Sequence, residues 1–195
     1  MTGIVLAGGK STRLGTQKAL LKLRDQTFLE RAVSALRPFC RQIIVVSAPE
    51  SALPDVESCT MVEDEEPGLG PLGGLVTGLA TSDDEWHLVL ACDLPLVRSQ
   101  VLGLIVSETA GADAVVPQVA GRLEPLLAAY ARACLPAARA ALGAGKRAMT
   151  ALLDQVQVKI IEEPRLRDVD PSLVSFTNVN TWDDYLRLSV PERTL

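Results

Sequence analysis

Short apolar runs that alternate with helical patterns constrain this chain more than any other feature. Gly3 to Leu6, Ile43 to Val46, His87 to Cys92 and Ala114 to Val116 each have the length and composition of a strand buried on both faces. Between the first two runs, Thr27-x-x-Glu30 forms a capping box. It opens a helix that carries Phe28, Leu29, Ala32, Val33 and Leu36 on one face and is closed by Pro38. Thr60 to Val62 reads as a further strand, followed by a glycine-rich stretch, Pro67 to Gly74, leading into a helix through Leu79. Another helix is expected from Ser99 to Thr109. Strands and helices that take turns in this way over roughly the first 115 residues are the mark of βαβ units. The expected class is α/β, with a mostly parallel central sheet.

The remainder is less regular. It offers a turn at Ala120-Gly121, a strand from Leu123 to Tyr130 interrupted by Pro125, and helices over Pro136 to Leu142 and Met149 to Gln155. Strands are then expected at Val156 to Ile161 and Phe176 to Asn180, and Thr181-x-x-Asp184 caps a terminal helix. Neither a repeat nor a linker divides the chain, so residues 1–195 read as one domain.

Composition narrows the chemistry. Hydrophobic residues make up 48% and the formal charge is −5, which argues for a packed core and against general affinity for nucleic acid or anionic membrane. No apolar run approaches the ~18–20 residues that span a bilayer, and the start lacks a signal-peptide pattern, so the protein is expected to be soluble and cytoplasmic. Cys40, Cys59, Cys92 and Cys134 are widely spaced and read as reduced structural cysteines. With His87 the only histidine, a zinc site or a histidine-dependent triad has almost no material. Carboxylates, Lys, Arg, backbone amides and a hard metal ion remain.

In an open α/β sheet, ligands bind beyond the carboxyl ends of the strands. Three unusual loops lie there: Ala7 to Gly15, Gly68 to Gly74 and Asp93 to Pro95. The first combines consecutive glycines with Lys10, Arg13 and Lys18, so that amides can approach a phosphate while cations neutralise it. Gly9-Lys10-Ser11 imitates the end of a P-loop, but that pattern requires glycine at position 4, which is Ile4. Asp93 places a carboxylate at the end of a buried strand, where Mg²⁺ beside nucleotide phosphates would give it a partner, or where it would cap a helix. Asn178 and Asn180 could add amide oxygens if the last strand lies beside Asp93.

These motifs resemble those of the molybdenum cofactor guanylyltransferases, the MobA family. The opening from Gly3 to Leu21, with Leu6-Ala7-Gly8-Gly9, Ser11, Arg13 and Lys18-Ala19-Leu20-Leu21, is similar to that family's first motif. The likeness continues through Glu63-Asp64, Pro67 to Leu75, Ala91 to Leu96, Glu124-Pro125-Leu126 and Phe176 to Thr181. It implies a three-layer, Rossmann-like domain of the GT-A nucleotidyltransferase type with a mixed sheet. It further implies that Leu6, Ala7 and Gly8 lie against the nucleotide, with Arg13 and Lys18 around the phosphates. Asp64 would be a nucleotide-contacting acid beside a Gly68 to Gly74 loop, Asp93 the Mg²⁺ ligand, and Asn180 a group near the metal or acceptor. Ser47-Ala48-Pro49-Glu50 departs from the family where asparagine is frequent, and Trp182 stands where proline is common.

The implied reaction transfers GMP from GTP to the terminal phosphate of molybdopterin or molybdenum-molybdopterin. Catalysis would be carried by Arg13, Lys18 and Asp93, and molybdoenzymes or their chaperones would receive the product. An ionised phosphate is already nucleophilic, which suits a chain with one histidine. The alternatives are a related enzyme using another nucleotide or acceptor, such as a molybdopterin cytidylyltransferase, and a non-catalytic nucleotide-binding adaptor. The Leu123 to Tyr130 segment is the expected acceptor side.

Overall fold

The computed structural model describes residues 1–8, 17–49, 51, 53–54, 56–64 and 68–189. Ten strands form in chain order: β1 (Thr2–Leu6), β2 (Lys22–Leu23), β3 (Gln26–Thr27), β4 (Gln42–Ser47), β5 (Thr60–Glu63), β6 (Trp86–Ala91), β7 (Ala114–Val119), β8 (Arg122–Leu123), β9 (Leu127–Ala131) and β10 (Val158–Ile161). The helices are α1 (Phe28–Leu36), α2 (Gly70–Thr81), α3 (Ser99–Ser107), α4 (Leu135–Gly143), α5 (Thr150–Leu153), α6 (Glu163–Val169) and α7 (Trp182–Ser189). The central sheet runs β10-β7-β9-β6-β1-β4-β5, with β8 added to β7, and β2 and β3 make a separate hairpin. β1 is parallel to β4 and β6, β4 to β5, and β7 to β10. β9 is antiparallel to β6 and β7, so the sheet is mixed as expected.

Alternate side chains of the central strands face opposite layers. Val5, Val45, Leu88 and Leu90 pack against α1, α3 and α6, through residues such as Leu29, Leu36, Leu102, Ile105 and Leu166. Ile4, Leu6, Ile44 and Val89 pack against α2, α4 and α5, through residues such as Leu72, Leu75, Leu79, Ala138 and Leu152. This makes three layers with a core on each face of the sheet. A third, smaller cluster of Leu21, Leu23, Phe28 and Val179 joins the β2–β3 hairpin to α7, where Tyr185 and Leu188 pack against it. Among the described residues no helix is long and apolar enough to cross a membrane.

The local signals are visible in atomic contacts. The Thr27 hydroxyl accepts from the Glu30 N–H at 3.1 Å, and Glu30 accepts from the Thr27 N–H at 2.6 Å, closing the capping box. At α7 the Asp184 carboxylate accepts the N–H groups of Asn180 and Thr181 at 3.0 and 2.9 Å, and Thr181 Oγ1 accepts from the Asp184 N–H at 3.1 Å. Ala120 and Gly121 both have positive φ, 49° and 74°, as a two-residue hairpin turn between β7 and β8 requires.

Three expectations need correction. The Leu123 to Tyr130 strand is two strands, because the chain turns at Glu124 to Leu126 around Pro125 before rejoining the sheet as β9. The glycine-rich stretch is a loop only to Leu69; from Gly70 onward it is the start of α2. The expected strand from Phe176 to Asn180 does not form. Val174–Phe176 is a short 3₁₀ turn entered through Leu173 at φ 52°, and residues 177–181 join no ladder. The β2–β3 hairpin, α6 and the 3₁₀ turn at Lys18–Leu20 had no counterpart in the expected elements.

Candidate active site

The parallel strands β1, β4, β5 and β6 end at one edge of the sheet, in registers that align Leu6 with Val46 and Ala91, and Ser47 with Glu63. Backbone bonds continue the alignment one residue beyond. Ala7 N–H donates to Val46 O at 2.9 Å, Cys92 N–H to Leu6 O at 3.2 Å, and Asp64 N–H to Ser47 O at 2.8 Å. Leu6 to Gly8, Asp64 and Asp93 therefore emerge along one edge, which is where an α/β sheet presents a ligand cleft.

At the β6 end, three residues far apart in sequence meet. Lys18 Nζ donates to Asn180 Oδ1 at 2.6 Å and lies 3.4 Å from Asp93 Oδ2. The Lys18 and Asp93 side chains are both about one-fifth exposed, 22% and 21%. Asp93 Oδ1 is buried and has no hydrogen-bond partner among the described residues. Val179 N–H donates to the Asp93 carbonyl at 3.0 Å, and with the Val179 side chain buried among Leu21, Leu23 and Phe28 this bond helps bring Asn180 to the cluster although no strand forms there. Both asparagines are exposed, and it is Asn180 that makes the contact with Lys18.

Asp64 occupies the other end of the edge. Three strand spacings, about 14 Å in all, separate β5 from β6. Asp64 Oδ1 accepts from Thr77 Oγ1 of α2 at 3.1 Å. A Cβ at Gly73 would lie 3.5 Å from the Asp64 carboxylate, and one at Gly74 would lie 3.0 Å from Leu6 Cδ2, so α2 comes down close upon β1 and Asp64. The spacing G-x-G-x-x-G, not expected anywhere in the sequence, occurs at Gly68, Gly70 and Gly73, after β5 and at the start of α2. Gly68 and Gly70 take positive φ, 89° and 71°, which that turn demands.

Two further groups border the cluster. Cys92 is buried and its thiol is pushed up to about 12 by burial, with the neighbouring Asp93 charge adding to it, so it is inert beside the site. Glu124, in the turn before β9, is half-buried and held above the ordinary carboxylate range, chiefly by burial, with Arg122 opposing and Asp93 adding to the shift. The Glu124-Pro125-Leu126 motif was the available signal for it, but the motif alone assigns no role. Residues 9–16, among them Lys10 and Arg13, lie outside the described residues.

Mg²⁺ was expected at Asp93. Among the described residues no group of three His, Cys, Asp or Glu side chains gathers to hold a metal. The unpartnered Asp93 Oδ1, with the Asn180 amide oxygen nearby, nevertheless suits an ion that takes one or two protein ligands and fills its shell with phosphate oxygens and water.

Residues 3–159 match the model of the MobA-like NTP transferase domain. A protein of Bacillus mycoides described as a probable molybdenum cofactor guanylyltransferase is 36% identical over 190 residues, covering 95% of this chain and 94% of that protein. One of Chloroflexus aggregans with the same description is 36% identical over 195 residues, covering 94% and 91%. The crystal structure of molybdopterin-guanine dinucleotide biosynthesis protein A from Archaeoglobus fulgidus superposes with a TM-score of 0.82 at 29% identity, covering 97% of each chain.

Proposed function

Since the chain belongs to the MobA-like NTP transferase family and is a nucleotidyltransferase, we propose that it transfers GMP from GTP to the terminal phosphate of molybdopterin or its molybdenum-loaded form, releasing pyrophosphate. The observation that carries the chemical half of this reading is the cluster of Lys18, Asp93 and Asn180 at the carboxyl end of β6. It offers one cation, one carboxylate with an unpartnered oxygen and one amide.

That set suits phosphate attack on phosphorus. The acceptor phosphate is ionised near neutral pH, so the protein needs to align the two phosphates and compensate their charge rather than remove a proton. Lys18 would meet the donor phosphates. Its bonds to Asn180 and Asp93 hold the ammonium in place before substrate arrives. Asp93, with Asn180 beside it, would hold Mg²⁺, which when bound draws phosphate oxygens together and neutralises the leaving pyrophosphate. Leu6, Ala7 and Gly8 would line the nucleotide, with Asp64 near its base or ribose. Arg13 would join Lys18 at the phosphates. Glu124 stands on the β9 side of Asp93, away from Asp64, which makes the β8–β9 turn the natural acceptor side.

The test is turnover with GTP, Mg²⁺ and molybdopterin, followed by pyrophosphate release. Asp93→Ala and Lys18→Ala should each lose on the order of 10²-fold or more in kcat. Nucleotide binding without pyrophosphate release would reject the enzyme reading in favour of an adaptor. Faster turnover with CTP would reject the choice of GTP.

A further inference from the structure

The segments that supply Asp93 and Asn180 are stitched together by groups the transfer chemistry does not use. Asp170 caps the C-terminal end of α6 and is fully buried. Its Oδ1 lies 3.3 Å from Arg98 Nε, and its Oδ2 accepts the Ser175 N–H at 2.9 Å. The Ser175 hydroxyl in turn accepts the Arg98 N–H at 2.9 Å. Arg98 closes the loop that begins at Asp93, and Ser175 lies five residues before Asn180. Asp170 Oδ1 makes no directed hydrogen bond among the described residues, so its compensation there is the Arg98 charge. A carboxylate removed from water is costly, and an apolar side chain of similar volume would serve packing at lower cost.

We propose that Asp170, with Arg98 and Ser175, is a positioning residue of the transfer site. Its buried carboxylate locks the segment from Asp170 to Thr181 onto the Asp93 loop, so that Asn180 Oδ1 meets Lys18 Nζ. The segment from Thr177 to Asn180 has no sheet ladder to fix it. Its placement depends on this clamp at one end, on the buried Val179 side chain and the Val179–Asp93 backbone bond, and on the Asp184 cap at the other end. Misplacement of a phosphate-positioning group by about 1 Å costs on the order of 10²-fold in rate, so a clamp of this kind acts on catalysis without touching substrate. The kinetic consequence rests on the nucleotidyl-transfer reading; the geometric one does not.

Asp170→Asn keeps an oxygen for the Ser175 N–H and removes the charge that faces Arg98, so it is the informative variant. Trp182 supplies a readout independent of activity. It lies two residues beyond Asn180, and the other tryptophan, Trp86, begins β6 at the far end of that strand. In a Trp86→Phe background, Asp170→Asn should retain the parent circular dichroism while shifting Trp182 emission and its quenching by acrylamide. Arg165→Gln, which removes the exposed partner of Glu108 on the same α6, should change neither. With wild-type tryptophans, Asp170→Asn should lower kcat about 10-fold to 10²-fold with KM for GTP little changed. In an Asn180→Ala background the same substitution should add little, because it acts through Asn180. Should Asp170→Asn fail to fold, Ser175→Ala retains the ion pair, loses one link, and should show the same changes on a smaller scale.

A variant with a lower melting temperature, but with parent Trp182 emission, kcat and full additivity with Asn180→Ala, would overturn the proposal and leave Asp170 a structural role. If the parent protein transfers no nucleotide, the proposed function fails, and the Trp182 measurement still judges the clamp.

Discussion

His87 is wholly buried in β6, paired in register with Thr2 of β1 and Tyr130 of β9. Burial pushes its imidazole down to about 4, with Asp84 pulling the other way. The folded state therefore resists protonation that the unfolded chain accepts near 6.5. The stability it contributes is complete above that value and is lost as pH falls from about 6.5 towards 4. His87→Leu should flatten the decline in melting temperature between about pH 6.5 and 4 relative to the parent, measured by thermal unfolding across that range. At the same scale, the position of Asp93 was legible because a carboxylate directly after a buried apolar run can only emerge at a strand end. The choice of Asn180 over Asn178 was not. It depends on a stretch without ladder bonds whose course is set by the Asp170 clamp, the buried Val179 with its bond to Asp93, and the Asp184 cap.

Elements whose signals are local were the most legible. Both capping boxes appear as side-chain to backbone bonds within four residues, and Thr27→Ala should destabilise the fold by about 1 kcal/mol, read from chemical denaturation. The glycine-rich stretch misled for a physical reason. Its glycines look like loop residues, yet in α2 they allow the helix to pack against the sheet. A Cβ at Gly74 would stand 3.0 Å from Leu6 Cδ2, and farther along α2, beyond that stretch, one at Gly78 would stand 2.7 and 2.8 Å from Ile4 Cδ1 and Cγ2, inside the side chain of a fully buried, β-branched residue of the central strand. The helix propensity gained by alanine, about 1 kcal/mol, should not offset that overpacking. Gly78→Ala is expected to cost about 1–2 kcal/mol net and to lower the denaturation midpoint without altering its slope. The β8–β9 segment reads in sequence as one strand interrupted by Pro125, because its residues suit a strand on either side of it. The break between them is the turn at Glu124 to Leu126, where Leu127 N–H donates to Glu124 O at 3.1 Å and the chain leaves its pairing with β7 alone to enter the sheet between β6 and β7.

At the scale of the whole molecule, distant segments are held at both ends of the sheet. Opposite the candidate site, the Asp84 carboxylate is nearly buried before β6, and Arg41 followed by Thr2 holds its pKa well below the ordinary carboxylate range. A group depressed in this way stabilises the fold above its unfolded pKa near 3.8, and that contribution is lost as pH falls further. Asp84→Asn should therefore lower stability at neutral pH by about 1–3 kcal/mol, with the solvent-exposed setting of Arg41 limiting the effect. The difference from the parent should shrink as titration proceeds towards pH 2 or so. At the site, a bound ligand stabilises by mass action, so GTP with Mg²⁺ should raise the melting temperature more than CTP, ATP or UTP. Asp93→Ala should remove the magnesium dependence of that shift. The sequence by itself determined the α/β class, the strands that end at the site, the helix caps and the residue types available for phosphate chemistry, because each depends on period, spacing or a neighbour a few residues away. The antiparallel insertion of β9 between β6 and β7, the meeting of Lys18 with Asp93 and Asn180, and the clamp at Asp170 were decided only by the tertiary structure. Each brings together segments that are separate in the chain, such as Lys18 with Asp93 and Asn180 or Arg98 with Asp170, and no local period or spacing records which of them will meet.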